Sequence, residues 1–265
     1  MLNYRLIAAD YDGTLLPFGE KTVSDLTVSA IKKAKEKGVK FVLSTGRPLL
    51  ACADFFNKIG DDDAKIIQNG AEVYFGNEKI FEAKLNKTVA DFVLSEGRKR
   101  NVTVVCWLND RLYTEKDDEK LDEYKKISGI EPIIIDDLSK INDKKPTKYL
   151  WYADEIVAPA YAEEMRKLLK GEANAHTSRP PFVEFVAEKA SKANALKIVC
   201  EYLSVPIESV IAFGDGENDA QLLKAAGYSV AMGNACDSLK MIAKEVCLPC
   251  AMSGFAKYVL DLLEK

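Results

Sequence analysis

Short apolar runs alternate with helical patterns in the first and last thirds of the chain. Residues 5–9, 41–43 and 210–213 carry such runs, which are typical of strands buried on both faces of a sheet. Helical patterns lie between these runs, and the helices are predicted to begin near Ser24, Ser191, Ala220 and Gly254. This alternation predicts an α/β fold, a doubly wound parallel sheet of the Rossmann-like kind.

The middle third shows a different order of elements. Its pattern predicts a helix and two strands, then two helix–strand units, and last a helix and two strands. The helices are predicted from residue 88, over 117–126, near 138 and over 156–169, and the strands over 103–107, 112–114, 132–135, 149–152, 173–177 and 182–186. We therefore expect residues 85–187 to form an inserted α/β domain, with residues 1–84 and 188–265 forming the core.

Composition and charge are those of an ordinary globular protein. The 265 residues are 48% hydrophobic and 29% charged, with a net charge of −4 and no basic block, so we expect no nucleic-acid partner. No apolar run approaches the roughly 20 residues of a membrane span, and the chain begins directly in a strand without an apolar leader. We therefore expect no membrane partner and a cytoplasmic location. The sequence does not determine the oligomeric state.

The six cysteines do not form the pattern of a disulfide framework. Cys247 and Cys250 have the spacing of half a zinc site, but the chain's single histidine, His176, is distant in sequence. We expect these thiols to be buried or idle. A single histidine, and the absence of a serine in a Gly-x-Ser-x-Gly setting, also argue against a Ser-His-Asp hydrolase.

Two aspartates directly follow the first apolar strand. Asp10 and Asp12 lie in the run Asp10-Tyr11-Asp12-Gly13-Thr14. Such a pair can hold one hard cation and still leave a carboxylate oxygen for nucleophilic attack. The alternative is an Asp-rich turn that closes a strand, because Asp and Gly are common in turns for backbone reasons.

Further polar groups follow two other strands at their carboxyl ends. The acidic run 214–219 follows the strand at 210–213, and Ser44, Thr45 and Gly46 follow the strand at 41–43. Open parallel sheets bind ligands at this edge. Lys192 opens a later helix, where a cation can meet a phosphate. Each residue alone has a structural alternative: a helix cap for Thr45, a solvated lysine, and a helix-dipole contact for Asp219.

The order of these motifs resembles that of the haloacid dehalogenase superfamily, specifically its Cof-type phosphatases with a large inserted α/β cap. Residues 10–14, Thr45, Lys192 and the run 214–219 correspond to the family's four motifs, in the family's order. The run 231–235 resembles a late segment of these enzymes, and the order of elements in the middle third resembles the larger caps of the superfamily. One departure is Ala193, where a glycine often follows the lysine.

This resemblance implies a role for each motif. It implies that Asp10 is the nucleophile that forms an aspartyl-phosphate, and that Asp12 is the general acid and then the general base. One Mg²⁺ would be held by Asp10, the backbone carbonyl of Asp12 and Asp215. The resemblance further implies phosphate binding by Thr45, Gly46, Lys192 and Asn218, and the orientation of Lys192 and the metal's waters by Asn218 and Asp219.

The resemblance implies a Mg²⁺-dependent phosphatase of small phosphorylated metabolites, with sugar phosphates as the first expectation. Two alternatives are a phosphomutase of the phosphomannomutase type and a non-catalytic phosphate-binding protein. The inserted domain would choose the leaving group. His176 and Arg179, in the loop between the last two strands of that domain, could face the cleft or form a solvated hairpin tip. We leave Arg47 outside the catalytic set.

Overall fold

The computed structural model describes residues 4–177 and 181–264. The described chain divides into two compact units. The first, here the core unit, contains the residues up to Gly46, Cys52–Phe81 and the residues from Ser191 onward. The second, here the inserted unit, contains Arg47–Ala51 and Glu82–Ala190. That the inserted unit acts as a substrate-selecting cap stays a prediction.

The secondary structure alternates through most of the chain. The strands are β1 (Leu6–Ala9), β2 (Lys40–Ser44), β3 (Ala64–Ile67), β4 (Glu72–Phe75), β5 (Glu78–Glu82), β6 (Thr103–Leu108), β7 (Arg111–Thr114), β8 (Ile133–Ile134), β9 (Lys148–Tyr152), β10 (Ala173–His176), β11 (Phe182–Ala187), β12 (Val210–Gly214), β13 (Tyr228–Ala231) and β14 (Glu245–Val246). The α-helices are α1 (Asp25–Glu36), α2 (Ala53–Ile59), α3 (Lys87–Lys99), α4 (Glu119–Ser128), α5 (Ala158–Leu168), α6 (Lys192–Leu203), α7 (Ala220–Ala225), α8 (Asp237–Ile242) and α9 (Gly254–Glu264).

The core sheet has the order β14-β13-β12-β1-β2-β3-β4-β5. Pairing is parallel from β14 to β3 and antiparallel between β3 and β4. Every residue of β1 is buried, which is the pattern of a parallel strand covered on both faces. The prediction of an α/β fold with a parallel sheet is therefore confirmed.

Two helices of the core unit, α1 and α6, begin where their serine caps predict. Ser24 Oγ accepts a hydrogen bond from the Thr27 amide at the start of α1, and Ser191 Oγ accepts one from the Asn194 amide at the start of α6. Helix α1 packs against α9, and α6 packs against α7. The Ser191 cap sets the first residue of α6 as Lys192, which becomes important at the site.

The inserted unit contains its own sheet and its own apolar cores. The strand order is β10-β11-β9-β6-β7-β8. One face of this sheet packs in a cluster with α3 and α5, around Trp151 and Phe185. The other face packs with α4, around Trp107 and Leu150. Adjacent strand residues point to opposite faces, so β9 contributes to both clusters.

The order predicted for the middle third agrees with the observed elements, with two local differences. The helix predicted near residue 138 is a 3-10 helix, Leu138–Lys144, whose start is capped by the Asp137 carboxylate accepting from the Ser139 backbone amide. Strand β8 is shorter than the predicted 132–135 and begins after Pro132, which has no amide proton to donate to a ladder.

Candidate active site

The strand register brings three of the predicted motifs to one edge of the core sheet. Ala9, the last residue of β1, lies opposite Leu43 of β2 and Phe213 of β12. The residues that follow these strands, among them Asp10, therefore leave the sheet at the same level. The Asp10 amide continues the ladder by donating to the Phe213 carbonyl at 3.0 Å.

A buried ammonium group joins two of the aspartates. Lys192 Nζ donates to Asp10 Oδ1 at 2.5 Å and to Asp219 Oδ1 at 2.6 Å. Lys192 is only 2% exposed, so the alternative of a solvated lysine is wrong. The contact uses Oδ1 of Asp10.

Asp219 is fully engaged by groups of the protein. Its Oδ2 accepts from the backbone amides of Asp215 and Gly216, both at 3.0 Å, while its Oδ1 accepts from Lys192. A Cβ at Gly214 would lie 2.6 Å from the Asp219 Cβ, so only glycine allows this close approach. Asp219 therefore fixes the position of Lys192 and the turn that carries Asp215.

Asp215 faces the turn that carries the first motif. Thr14 Oγ1 donates to Asp215 Oδ1 at 2.9 Å. Gly13, between Asp12 and Thr14, has φ +80°, and a Cβ there would lie 2.1 Å from Asp215 Oδ2. The glycine is needed both for the backbone conformation and for the space that Asp215 occupies.

Asp12 lies in a tight turn after β1. The amides of Leu15 and Leu16 donate to the Tyr11 carbonyl, and the Gly13 amide donates to the Leu16 carbonyl at 2.7 Å. Asn234 ties this turn down, because its Nδ2 donates to the Gly13 carbonyl at 2.8 Å. The Asp12 carboxylate is half-buried. It raises the pKa of Asp215, although less than burial and Asp219 do, so the Asp12 charge lies near Asp215.

Thr45, Gly46 and Asn218 are connected through a residue that the sequence analysis did not single out, Asn69. The Asn69 backbone amide donates to the Thr45 carbonyl at 2.9 Å, and the Asn69 side-chain Oδ1 accepts from Asn218 Nδ2 at 3.1 Å. A Cβ at Gly46 would lie 3.1 Å from Asn69 Oδ1. The structure thus places these three predicted phosphate-binding residues around one asparagine.

Sequence reasoning assigned no role to Asn69, Thr14 or Asn234. Thr14 and Asn234 lie within motifs that were singled out, but their partners are distant in sequence. Asn69 follows the buried strand β3, and Asn before Gly at a strand end was the available signal for a polar turn.

The electrostatics of the site follow from burial. Burial raises the pKa of Asp10 well above its usual range, and the Asp219 charge raises it further, against the opposite effect of Lys192. Burial and Asp219 likewise raise the pKa of Asp215 to about 7. Burial alone would lower the pKa of Lys192, but the charges of Asp10 and Asp219 raise it, so this lysine stays protonated.

The carboxylates form a group that suits a hard divalent cation. In the part of the chain that the structure describes, the side chains grouped closely enough to hold a metal ion are Asp10, Asp215 and Asp219, with ligand atoms within 4.8 Å of one another. Three carboxylates face one ammonium, and the excess negative charge fits a dication. Because both oxygens of Asp219 already accept from protein groups, Asp10 and Asp215 are the side chains that fit as ligands.

Two other predictions concern residues outside this cluster. Neither Cys247 nor Cys250 belongs to the candidate metal-binding group among the described residues, and both are thiols rather than half-cystines. In the inserted unit, His176 Nε2 lies 3.8 Å from Glu184 Oε2, and Arg179 lies outside the described residues. Over residues 4–177 and 181–264, no helix is both long and apolar enough to cross a membrane.

The fold and the site together define a hydrolase of a known class. The model of the haloacid dehalogenase-like hydrolase family matches residues 7–259, and the chain belongs to this family. A solved structure of a haloacid dehalogenase-like hydrolase from Bacteroides thetaiotaomicron superposes with a TM-score of 0.86 at 26% identity, over 98% of this chain and 99% of that one. The predicted superfamily is confirmed.

Curated relatives extend along nearly the whole chain. The 5-amino-6-(5-phospho-D-ribitylamino)uracil phosphatase YcsE of Bacillus subtilis is 31% identical over 97% of this chain and 95% of its own length. The HMP-PP phosphatase of Cronobacter sakazakii is 27% identical over 98% of this chain and 96% of its own length. The prediction of an enzyme that hydrolyses phosphoric monoesters is confirmed by this family membership and these phosphatase relatives.

Proposed function

We propose that this protein is a Mg²⁺-dependent phosphatase that acts through an aspartyl-phosphate on Asp10. The observation that carries the proposal is the buried contact of Lys192 with both Asp10 and Asp219, beside Asp215. A buried carboxylate held next to a fixed cation is suited to approach a dianionic phosphate, because the positive charge offsets the repulsion between two anions.

In the first half of the reaction, an Asp10 carboxylate oxygen attacks phosphorus. The bond between phosphorus and the ester oxygen breaks, and Asp12 donates a proton to that leaving oxygen. Lys192 favours the ionised form of Asp10, against the effect of burial, and orients the carboxylate through the contact with Oδ1. The Thr45 hydroxyl, the Gly46 amide and Asn218 would bind the phosphoryl oxygens.

In the second half, water attacks the phosphorus of the aspartyl-phosphate. Asp12, now a carboxylate, accepts a proton from that water, and the bond between Asp10 and phosphorus breaks. Inorganic phosphate leaves, and Asp10 and Asp12 return to their starting states. The placement of Asp12 on the turn held by Asn234 suits a group that must serve twice from one position.

The residues proposed to hold Mg²⁺ are Asp10, Asp215 and the backbone carbonyl of Asp12. When bound, the ion supplies positive charge to the phosphoryl oxygens and to the carboxylates. The donor set consists only of oxygens, as a hard cation prefers. Asp219 has a positioning role, because its oxygens are bound to Lys192 and to the backbone amides of Asp215 and Gly216.

For the substrate, we propose a phosphate ester on a small polyhydroxylated carbon chain. Sugar phosphates belong to this class, and so does the phosphorylated ribityl group in the name of the relative YcsE. The inserted unit would distinguish among leaving groups, since the core residues named above recognise only the phosphoryl group and the metal.

The test is phosphate release from a panel that contains sugar phosphates, the ribitylaminouracil phosphate and HMP-PP. We expect turnover with Mg²⁺, loss of turnover with a chelator, and no turnover for Asp10→Asn, whose amide cannot act as the nucleophile. Near-native hydrolysis by Asp10→Asn would overturn the aspartyl-phosphate route. An isomerised hexose phosphate as the main product, in place of free phosphate, would overturn hydrolysis.

A further inference from the structure

Three consecutive residues after β3 adopt left-handed backbone conformations. Gln68, Asn69 and Gly70 have φ values of 50°, 59° and 90°. Glycine adopts such values freely and asparagine tolerates them, but they are uncommon for glutamine. All three residues are buried. We name residues 68–70 the left-handed turn; buried backbone of this kind persists only where the surroundings hold it.

The left-handed turn touches each of the three later motifs. Asn69 contacts the second motif through the Thr45 carbonyl and the fourth through Asn218 Nδ2. Gly70 contacts the third, because a Cβ there would lie 2.3 Å from the carbonyl oxygen of Ser191, the residue before Lys192. Segments that are far apart in sequence therefore share one turn as their common support.

We infer that Asn69 is a positioning residue for the phosphoryl-binding site, and that it acts by fixing the positions of Asn218 and the Thr45–Gly46 loop relative to each other. This inference rests on the proposed function. The Asn69 Oδ1 accepts a hydrogen bond from the Asn218 side-chain amide, which fixes the orientation of the Asn218 side chain. A Cβ at Gly46 would lie 3.1 Å from the same Oδ1, so one atom lies close to both binding groups.

The decisive variant is Asn69→Gly. Glycine keeps the left-handed backbone at φ 59°, so the change removes the side-chain contact to Asn218 without straining the turn. We expect kcat/KM to fall about tenfold, the scale of one lost hydrogen bond. Inhibition by inorganic phosphate should weaken by a similar factor, since phosphate binding needs the same donors. A purely structural role would change the melting temperature and leave this inhibition unchanged.

The matched control is Asn101→Gly. Asn101 is also left-handed, with φ 52°, but it lies exposed in the inserted unit after α3. We expect this variant to keep wild-type kinetics and wild-type phosphate inhibition. Loss of phosphate inhibition in both glycine variants alike would overturn the inference, because it would not then depend on the position of Asn69.

A double-mutant cycle of Asn69 and Asn218 tests how the effect of Asn69 reaches the site. If Asn69 acts through Asn218, the effect of Asn218→Ala on kcat/KM should be much smaller in the Asn69→Gly background than in the wild type. Fully additive effects, or wild-type kinetics for Asn69→Gly in an active enzyme, would overturn this inference alone. A folded wild-type protein that releases no phosphate from any substrate would overturn the proposed function, and with it this inference.

Discussion

Burial of the Lys192 ammonium is energetically unfavourable, which explains why two carboxylates lie beside it. A buried ammonium loses its hydration, so it needs charged partners that stay in place. Asp10 and Asp219 supply them, and two backbone amides in turn hold Asp219. The arrangement keeps a positive charge beside the proposed nucleophile without relying on a flexible surface side chain.

Replacing Lys192 by methionine should therefore remove most of the activity. The variant keeps the stem but leaves Asp10 and Asp219 without their cation, and we expect kcat to fall by about 10²–10³-fold, as for other preorganised charges. Lys65→Met is the matched control, because Lys65 is equally buried but pairs with Asp61 and carbonyls of the core unit. Steady-state kinetics with phosphate release compare the two; equal losses of kcat would contradict the assignment.

Asp215 should destabilise the metal-free protein at alkaline pH. Its pKa is raised from 3.8 to about 7 by burial and by Asp219. Between these pH values the folded state holds a proton that the unfolded state has released, so stability falls as pH rises through this window. At pH 8 without metal, Asp215→Asn should melt higher than the wild type, by roughly 2–4 °C for each kcal/mol recovered.

Calorimetry with and without Mg²⁺ checks this prediction. The difference between the two proteins should shrink as the pH falls toward 4, because the wild-type carboxyl is then protonated in the folded state. Mg²⁺ should raise the melting temperature of the wild type at pH 8, while Asp215→Asn should respond far less, since it lacks one proposed ligand. A lower melting temperature for metal-free Asp215→Asn at pH 8 would contradict the account.

At the scale of elements, helices and strands with a regular sequence pattern were predictable, and a helix without a local sequence signal was not. Helix α6 was predicted to begin near Ser191, and the structure has it from Lys192. Helix α2 was not predicted; it is seven residues long and has no side-chain cap. Its place depends on packing, with Phe55 against Tyr11 at 5.4 Å between ring centroids. Contacts of this kind join distant segments and leave no local sequence pattern.

The candidate site divides in the same way. The positions of Asp10 and Asp215 at one sheet edge follow from strands that the sequence shows plainly. The left-handed turn at Asn69 does not, because its conformation is held by three segments that meet only in the folded chain. The residues that sequence reasoning missed, Asn69, Thr14 and Asn234, contact segments that are distant in sequence.

The cap of α6 offers a prediction at this scale. Ser191→Ala removes the hydrogen bond to the Asn194 amide and should cost about 1 kcal/mol of stability. Since Lys192 is the first residue of this helix, we also expect a several-fold loss of kcat/KM. Ser24→Ala removes the equivalent cap from α1, which carries none of the proposed site residues, and should cost similar stability without kinetic change. Denaturant melts and steady-state kinetics of both variants decide; unchanged kinetics in Ser191→Ala would contradict the link.

At the scale of the whole molecule, each unit has its own sheet and its own buried apolar residues, and the proposed metal ligands all lie in the core unit. Units built in this way can unfold separately. The chain provides a selective probe, because its two tryptophans, Trp107 and Trp151, are both buried in the inserted unit. Tryptophan fluorescence therefore reports the inserted unit, and hydrogen exchange in β1 and β12 reports the core unit.

We expect Mg²⁺ to stabilise the core unit and to leave the inserted unit nearly unchanged. At a hundred times its dissociation constant, a ligand adds about 2.7 kcal/mol to the unit that binds it, which is a shift on the order of 1 M in the urea midpoint. The urea midpoint reported by hydrogen exchange in β1 and β12 should shift by this amount, while the urea midpoint reported by tryptophan fluorescence stays unchanged. Asp215→Asn should strongly reduce the shift, because it removes one proposed ligand without touching either tryptophan. Equal shifts by both probes would show that the two units unfold as one cooperative body, and Mg²⁺ binding in the core unit would then also stabilise the inserted unit.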